Sequence, residues 1–243
     1  MPGVVWLVLP TYNEAENIEP LVEAALPQLA QAAAEGHRIL IVDDSSPDGT
    51  GRLADQLAAA HDTVEVLHRS AREGLGPAYL AGFARALAAG AATVLQMDAD
   101  FSHNPADLPR LLEAIAAGAD LALGSRYVPG GGVEDWGLLR RIVSRVGCSY
   151  ARRVLSLGIR DLTGGFKCFR REVLEAIELE TVRSHGYCFQ VEMTQRALLR
   201  GFDVREVPIT FHDRQRGHSK MSPRIALEAF IVLPQLRWRS PFR

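Results

Sequence analysis

The 243-residue chain is expected to fold as an α/β protein, with a Rossmann-like, mostly parallel sheet and helices on both faces. Three observations predict this. Five apolar runs alternate with helical patterns through roughly the first half, the order that builds βα units. The first runs are continuously apolar rather than alternating, as strands buried on both faces are. Three polar clusters, Pro10–Glu14, Asp43–Asp48 and Asp98–Asp100, fall at the ends of such runs, where open α/β sheets bind ligands.

Val4–Leu9 reads as the first strand, ending in Pro10. A helix follows with Ile18, Leu21, Val22, Ala25, Leu26 and Leu29 on one face and Gly36 as its stop. Asn13, with Glu16 three residues on, reads as its cap. Ile39–Val42 is the second strand, closed by the turn-rich Asp43–Gly49. A helix near Arg52–Ala60, a strand at Val64–Leu67 and a helix from Ala78 to Ala89 come next. Thr93–Met97 leads into Asp98-Ala99-Asp100, then a helix at Leu108–Ala117 and a strand at Leu121–Leu123.

Beyond Tyr127 the alternation stops. A glycine-rich loop precedes a basic amphipathic helix, Leu138–Leu157. A short strand near Phe166–Phe169, helices near Val173–Ile177 and Phe189–Leu199, a strand over Val204–Phe211 and a last helix from Ser222-Pro223 follow. With no linker and no repeat, one domain is expected. Residues of about 1–125 form its sheet-based half and about 126–243 an elaborated C-terminal half.

Composition excludes several classes. At 47% hydrophobic and 23% charged the chain is not disordered, and a net charge of −2 argues against a nucleic-acid binder. No run of about 18 apolar residues suggests a membrane span. Met1-Pro2-Gly3 has no basic n-region, so an intracellular location is expected. Cys148, Cys168 and Cys188 lack metal or disulfide spacing and read as buried or half-buried reduced thiols. Of the 27 basic residues only Lys167 and Lys220 are lysines.

Asp98 and Asp100, two apart at a strand end, should point to one face. Their hard oxygens, with no nearby His or Cys expected, suit Mg²⁺ or Mn²⁺, with water and substrate phosphate completing the shell. The alternative is a loop of solvated acids or a helix cap before Asn104-Pro105. The Val42-Asp43-Asp44 acids could accept hydrogen bonds from a nucleoside or close an Asx turn before Pro47.

Pro10-Thr11-Tyr12-Asn13-Glu14, Val42–Thr50 and Met97–His103 together resemble the family 2 glycosyltransferases of GT-A fold. Gly124-Ser125-Arg126-Tyr127, Asp161-Leu162-Thr163-Gly164-Gly165-Phe166 and Gly217-His218-Ser219-Lys220 are similar to the dolichol-phosphate (polyprenol-phosphate) mannosyltransferases among them. The resemblance implies inverting transfer of mannose from GDP-mannose to a polyprenyl monophosphate. It implies that Pro10, Tyr12, Glu14, Val42 and Asp44 line the guanosine pocket. Asp98, Ala99 and Asp100 would hold the diphosphate through the metal, with Ser102 beside them where some relatives carry Gln. Arg126 and Arg140 would meet the acceptor phosphate, and Arg214 and Lys220 would close over the donor in a mobile lid around Gly217. Asp100, Arg126 and Lys220 are the residues expected to carry the transfer.

Gln235-Leu236-Arg237-Trp238 falls one residue short of the Gln-x-x-Arg-Trp motif of processive synthases, which favours a single transfer. Two other readings stay open: the same fold with UDP-glucose or another acceptor, and a non-catalytic nucleotide-sugar-binding subunit of a membrane complex. From Trp136 to Arg160 there are six arginines and no acid, interleaved with Leu138, Leu139, Ile142, Val143, Val146 and Leu155. That pattern suits a helix lying in the headgroup plane or an ordinary surface helix. The tail from Phe230 to Leu233, with Trp238, Arg239 and Phe242, reads as interfacial. The expectation is peripheral attachment to the cytoplasmic face of a membrane, directly or on an embedded partner.

Overall fold

A computed structural model describes residues 3–184, 186–213 and 232–237. The expected βα alternation is present: β1 (Val5–Thr11), α1 (Ile18–Ala32), β2 (His37–Asp43), α2 (Thr50–Ala60), β3 (Val64–His68), α3 (Leu75–Ala88), β4 (Thr93–Gln96), α4 (Leu108–Ala116) and β5 (Leu121–Ser125). Then come β6 (Gly132–Val133), α5 (Leu138–Leu155), β7 (Lys167–Arg170), α6 (Arg171–Ala176), α7 (Gly186–Leu199), β8 (Val204–Pro208) and β9 (Thr210–Phe211).

Seven strands form one sheet in the order β3-β2-β1-β4-β7-β5-β8. β7 is antiparallel to both neighbours, β4 and β5, and the remaining pairings are parallel. The chain steps outward from β1 through β2 to β3, then returns to β4 on the other side of β1. That reversal opens a crevice at the carboxyl ends of β1 and β4, where Pro10–Glu14 and Asp98–Asp100 lie.

Strand alternation divides the core into two layers. Val5, Leu7, Leu9, Ile39 and Ile41 pack with Ile18, Leu21, Leu111 and Ile115 of α1 and α4. Trp6, Val8, Leu40 and Val42 face the other way, onto Tyr79 and Phe83 of α3 and Phe189 and Met193 of α7. A third cluster joins Leu123 to Ala151 and Leu155 of α5 and to Val191. The three cysteines are buried and unbridged.

Several expectations are corrected. The helix after β1 begins at Ile18 behind Asn17, and Asn13 sits in the left-handed region at φ 55°, so it does not cap. α5 stops at Leu155 because Ser156 turns left-handed at φ 57°. The single strand expected over Val204–Phe211 is two: β8 joins the main sheet and β9 pairs with β6. Leu233, read as interfacial, is buried among Leu155, Ile159 and Leu162. The expected helix start at Ser222, together with Phe230, Trp238, Arg239 and Phe242, lies outside the described residues, of which 232–237 are helical.

Candidate active site

β4 ends at Gln96, so Asp98 and Asp100 stand on a loop and the extended-strand argument for their alignment does not apply. Side chains place them instead. Tyr79, fully buried on α3, donates its hydroxyl to Asp98 Oδ1 at 2.8 Å. Gly165 lies so close that a Cβ there would sit 3.1 Å from Asp98 Oδ2. Asp100 Oδ1 accepts the Ser102 amide at 3.0 Å, around a Phe101 held at φ 58°. Capping falls to Asn104, whose side chain accepts from the Ala106 amide, so the acids do not serve as a cap. The Tyr79 hydroxyl is pushed well above the ordinary phenol range by burial, and then by the charges of Asp98 and Asp100.

The donor set suits a hard divalent cation. Asp98 keeps its second oxygen, Oδ2, outside the Tyr79 bond, and His103 Nε2 lies 3.8 Å from it, so a histidine does stand near the pair, contrary to expectation. Near the pair, Ser102 Oγ and both His103 ring nitrogens are buried without a hydrogen-bond partner among the described residues. Orphaned polar atoms beside two carboxylates are what a site completed by water and ligand oxygens leaves behind. No third His, Cys, Asp or Glu joins the pair in a metal-holding group among the described residues.

At the end of β1 and β2 the acids are already engaged. Asp43 accepts from Thr11 Oγ1 at 3.1 Å and from the Ser46 hydroxyl and amide at 2.6 and 3.1 Å, so it closes the turn. Asp44 pairs with Arg69 and accepts the Glu73 and Gly74 amides at 3.0 and 2.8 Å. It thereby anchors the loop leading into α3. Val42 is fully buried in the α3-side layer, so its side chain lines no pocket, and its carbonyl lies 3.5 Å from Thr11 Oγ1. Glu14 accepts from Asn17 Nδ2 at 2.8 Å, and the Arg72 guanidinium stacks 3.9 Å over the Tyr12 ring. Pro10 and Ala99 are buried at the two strand ends.

Arg126, at the end of β5, makes a two-pronged pair with Asp161: Nε to Oδ2 at 2.7 Å and Nη2 to Oδ1 at 2.6 Å. Nη2 also donates to Thr163 Oγ1 at 2.9 Å. Burial alone would push the Asp161 carboxyl up, but the Arg126 charge and hydrogen bonds outweigh it and hold it below the usual range. The guanidinium lies 5.2, 5.6 and 5.3 Å from the rings of Tyr127, Trp136 and Phe211. Arg140 stacks on Trp136 at 4.2 Å and donates to Asp213 at 2.6 Å.

These two ends face one region. The Tyr187 phenol is raised first by burial, and it feels the charges of Arg126, Asp98, Arg140 and Asp100 together. An aromatic chain also joins them, with His103 stacked on Phe166 and edge-on to Phe211, and Phe211 edge-on to Trp136. Beneath, Lys167 is wholly buried, its Nζ donating to the Gln190 carbonyl at 2.6 Å. Desolvation lowers its pKa to about 7, with Asp161 and Asp98 offsetting part of the shift. Arg214 and Lys220, with the expected lid around Gly217, lie outside the described residues.

The motifs carried no sign of Tyr79 or Tyr187, which read as ordinary aromatic residues of helices. Lys167 had one signal, its rarity as a lysine in this chain, and Asp161 stood in a motif without its partner.

Residues 6–178 match the family model described as Glycosyl transferase family 2. The chain belongs to that family. It is 53% identical over 94% of its length to polyprenol monophosphomannose synthase of Mycolicibacterium smegmatis, covering 85% of that protein. It is 47% identical to undecaprenyl-phosphate mannosyltransferase of Micrococcus luteus, over 96% of this chain and 93% of the other. Dolichol-phosphate mannosyltransferase of Pyrococcus furiosus is 38% identical over 92% of this chain, which spans 61% of that longer protein. Among solved structures, glucosyl-3-phosphoglycerate synthase of Mycobacterium tuberculosis, in complex with Mn²⁺ and UDP-glucose, superposes with a TM-score of 0.66 at 18% identity. That superposition covers 97% of this chain and 78% of the other. The glycosyltransferase therefore has the GT-A fold that its motifs implied.

Proposed function

We propose that this family 2 enzyme transfers mannose from GDP-mannose to a polyprenyl monophosphate, inverting the anomeric carbon. The observation that carries the reading is the aromatic chain His103–Phe211–Trp136, which links the acid loop, where His103 lies 3.8 Å from Asp98, to the two arginines, Arg126 and Arg140, that lie over Trp136. Three relatives at 38–53% identity are named for mannosyl transfer or polyprenol monophosphomannose synthesis, which supports the same sugar and acceptor class.

The acceptor chemistry explains what the site needs. A sugar hydroxyl requires a general base, whereas a phosphate monoester is already an anion near pH 7, its second pKa being about 6. The task is then to hold two anionic groups on opposite sides of one carbon. Asp98 and Asp100 would hold Mg²⁺ or Mn²⁺, which when bound neutralises the leaving diphosphate. Tyr79 fixes Asp98, and Gly165 leaves room beside it. Arg126 spends Nε and Nη2 on Asp161 and Thr163, leaving Nη1 outside that network for the acceptor phosphate. Pro10, Tyr12 and Glu14 would border the nucleoside, with Asp44 holding the loop that frames it.

Peripheral membrane attachment completes the proposal. No helix among the described residues is long and apolar enough to cross a membrane. Yet α5 exposes Leu138, Leu139, Ile142, Val143 and Val146, which an ordinary surface helix would bury. The membrane itself, or a membrane-embedded protein, is the expected partner.

Purified protein incubated with labelled GDP-mannose, Mg²⁺ and a short polyprenyl phosphate should move label into the organic phase. Label entering only from UDP-glucose would reassign the donor, and none from either would favour the non-catalytic reading. Asp100→Ala should lower turnover at least about 10²-fold while the thermal melt is retained. Undiminished turnover would refute the acid pair's role.

A further inference from the structure

A second cationic site lies behind the one described. A hollow of about 350 Å³ is lined by Tyr127, Arg145, Cys148, Ser149, Arg152 and Arg160. Through Ser149 and Arg152 it continues into a hollow of about 290 Å³ that adds Arg153, Ser156 and Leu157. Four arginines and no carboxylate line the pair. None of the four has an ion-pair partner among the described residues. Arg153 donates to Ser149 Oγ at 2.8 Å, while Arg152 Nε is buried with no hydrogen-bond partner among the described residues.

Like charges converging on one hollow repel unless an anion bridges them, and guanidinium forks match phosphate oxygens in geometry. Arg126 and Arg140 are not in the lining. Cys148 forms the wall between the sites, its Sγ 3.2 Å from Thr163 Oγ1 on the Arg126 side. The hollow thus lies apart from the Arg126–Asp161 pair, with Cys148 between them.

The same helix indicates where the phosphate comes from. Leu138 and Leu139 are 75% and 76% exposed, and Ile142, Val143 and Val146 extend the stripe. At about 100° per residue, Arg153 falls in line with that stripe one helical half further on. A surface that takes up the apolar half therefore meets the arginine-lined half at headgroup level. We propose that this double hollow binds the phosphate of an anionic phospholipid headgroup, distinct from the acceptor-phosphate subsite. The assignment rests on the peripheral-membrane reading above and adds a defined site to it.

The test is flotation of the full chain with phosphatidylglycerol-containing and with purely phosphatidylcholine vesicles. Arg152→Gln is compared with Arg141→Gln, an equal charge change on the same helix but outside the hollow. Wild type should float with the anionic vesicles at low salt. Arg141→Gln should weaken partitioning about fivefold, the effect of one arginine near a charged surface, and Arg152→Gln at least tenfold. Arg160→Gln, exposed and so safe for folding, should resemble Arg152→Gln. Equal losses for Arg141→Gln and Arg152→Gln would overturn the hollow while leaving peripheral attachment intact. Failure of wild type to float would overturn the membrane reading itself. A parallel titration with inorganic phosphate separates the sources: saturable binding lost in Arg152→Gln, with no difference on vesicles, would reassign the hollow to a soluble phosphate.

Discussion

Arg126 and Asp161 are almost wholly buried, so each is tolerable only because the other is present. Removing one partner of such a pair leaves an unmatched charge, which costs about 3–5 kcal/mol. Arg126→Ala is therefore expected to lose stability by that order as well as activity. Arg126→Met with Asp161→Asn should recover much of the stability in urea unfolding while remaining inactive. Recovery of activity in the double variant would show that the guanidinium touches no substrate. Lys167 makes a pH prediction. With its pKa near 7 in the folded protein, it is deprotonated between pH 7 and about 10.5 while the unfolded chain is still protonated. Unfolding takes up a proton in that window, so stability rises with pH across it. Below about pH 7 the full penalty of the buried charge is present. Wild-type stability relative to Lys167→Met should climb by up to about 1.4 kcal/mol per pH unit from pH 7 to 10. A flat difference in urea titrations would refute the shift.

At the scale of elements, α3 couples the sheet to the acid loop. Its Gly82 lies against β1, where a Cβ would come 2.4 Å from Val8 Cγ1 and 3.1 Å from Val42 Cγ2. The same helix carries Tyr79, one turn earlier, to Asp98. Gly82→Ala should therefore cost about 1–3 kcal/mol through overpacking, and pushing α3 outward should weaken Mn²⁺ binding by calorimetry. Unchanged stability and metal affinity would mean that α3 moves without taking Tyr79 with it. The strands and most helices were legible within a few residues because their apolar periodicity is local. Their last residues were not, as at the ends of β4 and α5, since hydrogen bonds and left-handed residues set them. Nor was the division of Val204–Phe211, whose second part pairs with a two-residue strand some 80 positions earlier.

Over the whole molecule, β7 interleaves the two halves. It sits between β4 and β5, so residues 167–170 complete a sheet begun by residues 5–125. We propose that the halves fold as one unit. A fragment ending at 125 would leave facing edges of β4 and β5 unpaired, and it should lack a cooperative thermal transition. A sharp melt from that fragment would show two independent domains.

The amino-acid sequence by itself determined the α/β class, the acid pair and the arginine-rich helix, because each is written in local pattern and residue type. It also determined the family, because several short motifs keep one order along nearly the whole chain. Only the tertiary structure decided which groups face one another. It gave Tyr79 to Asp98 and Asp161 to Arg126, sealed Lys167 under the site, and turned the apolar stripe of α5 outward. Those relations depend on contacts between residues 19 to 35 positions apart, created when β7 inserts into the sheet and α3 packs against it. No local pattern of side chains encodes a distance of that kind.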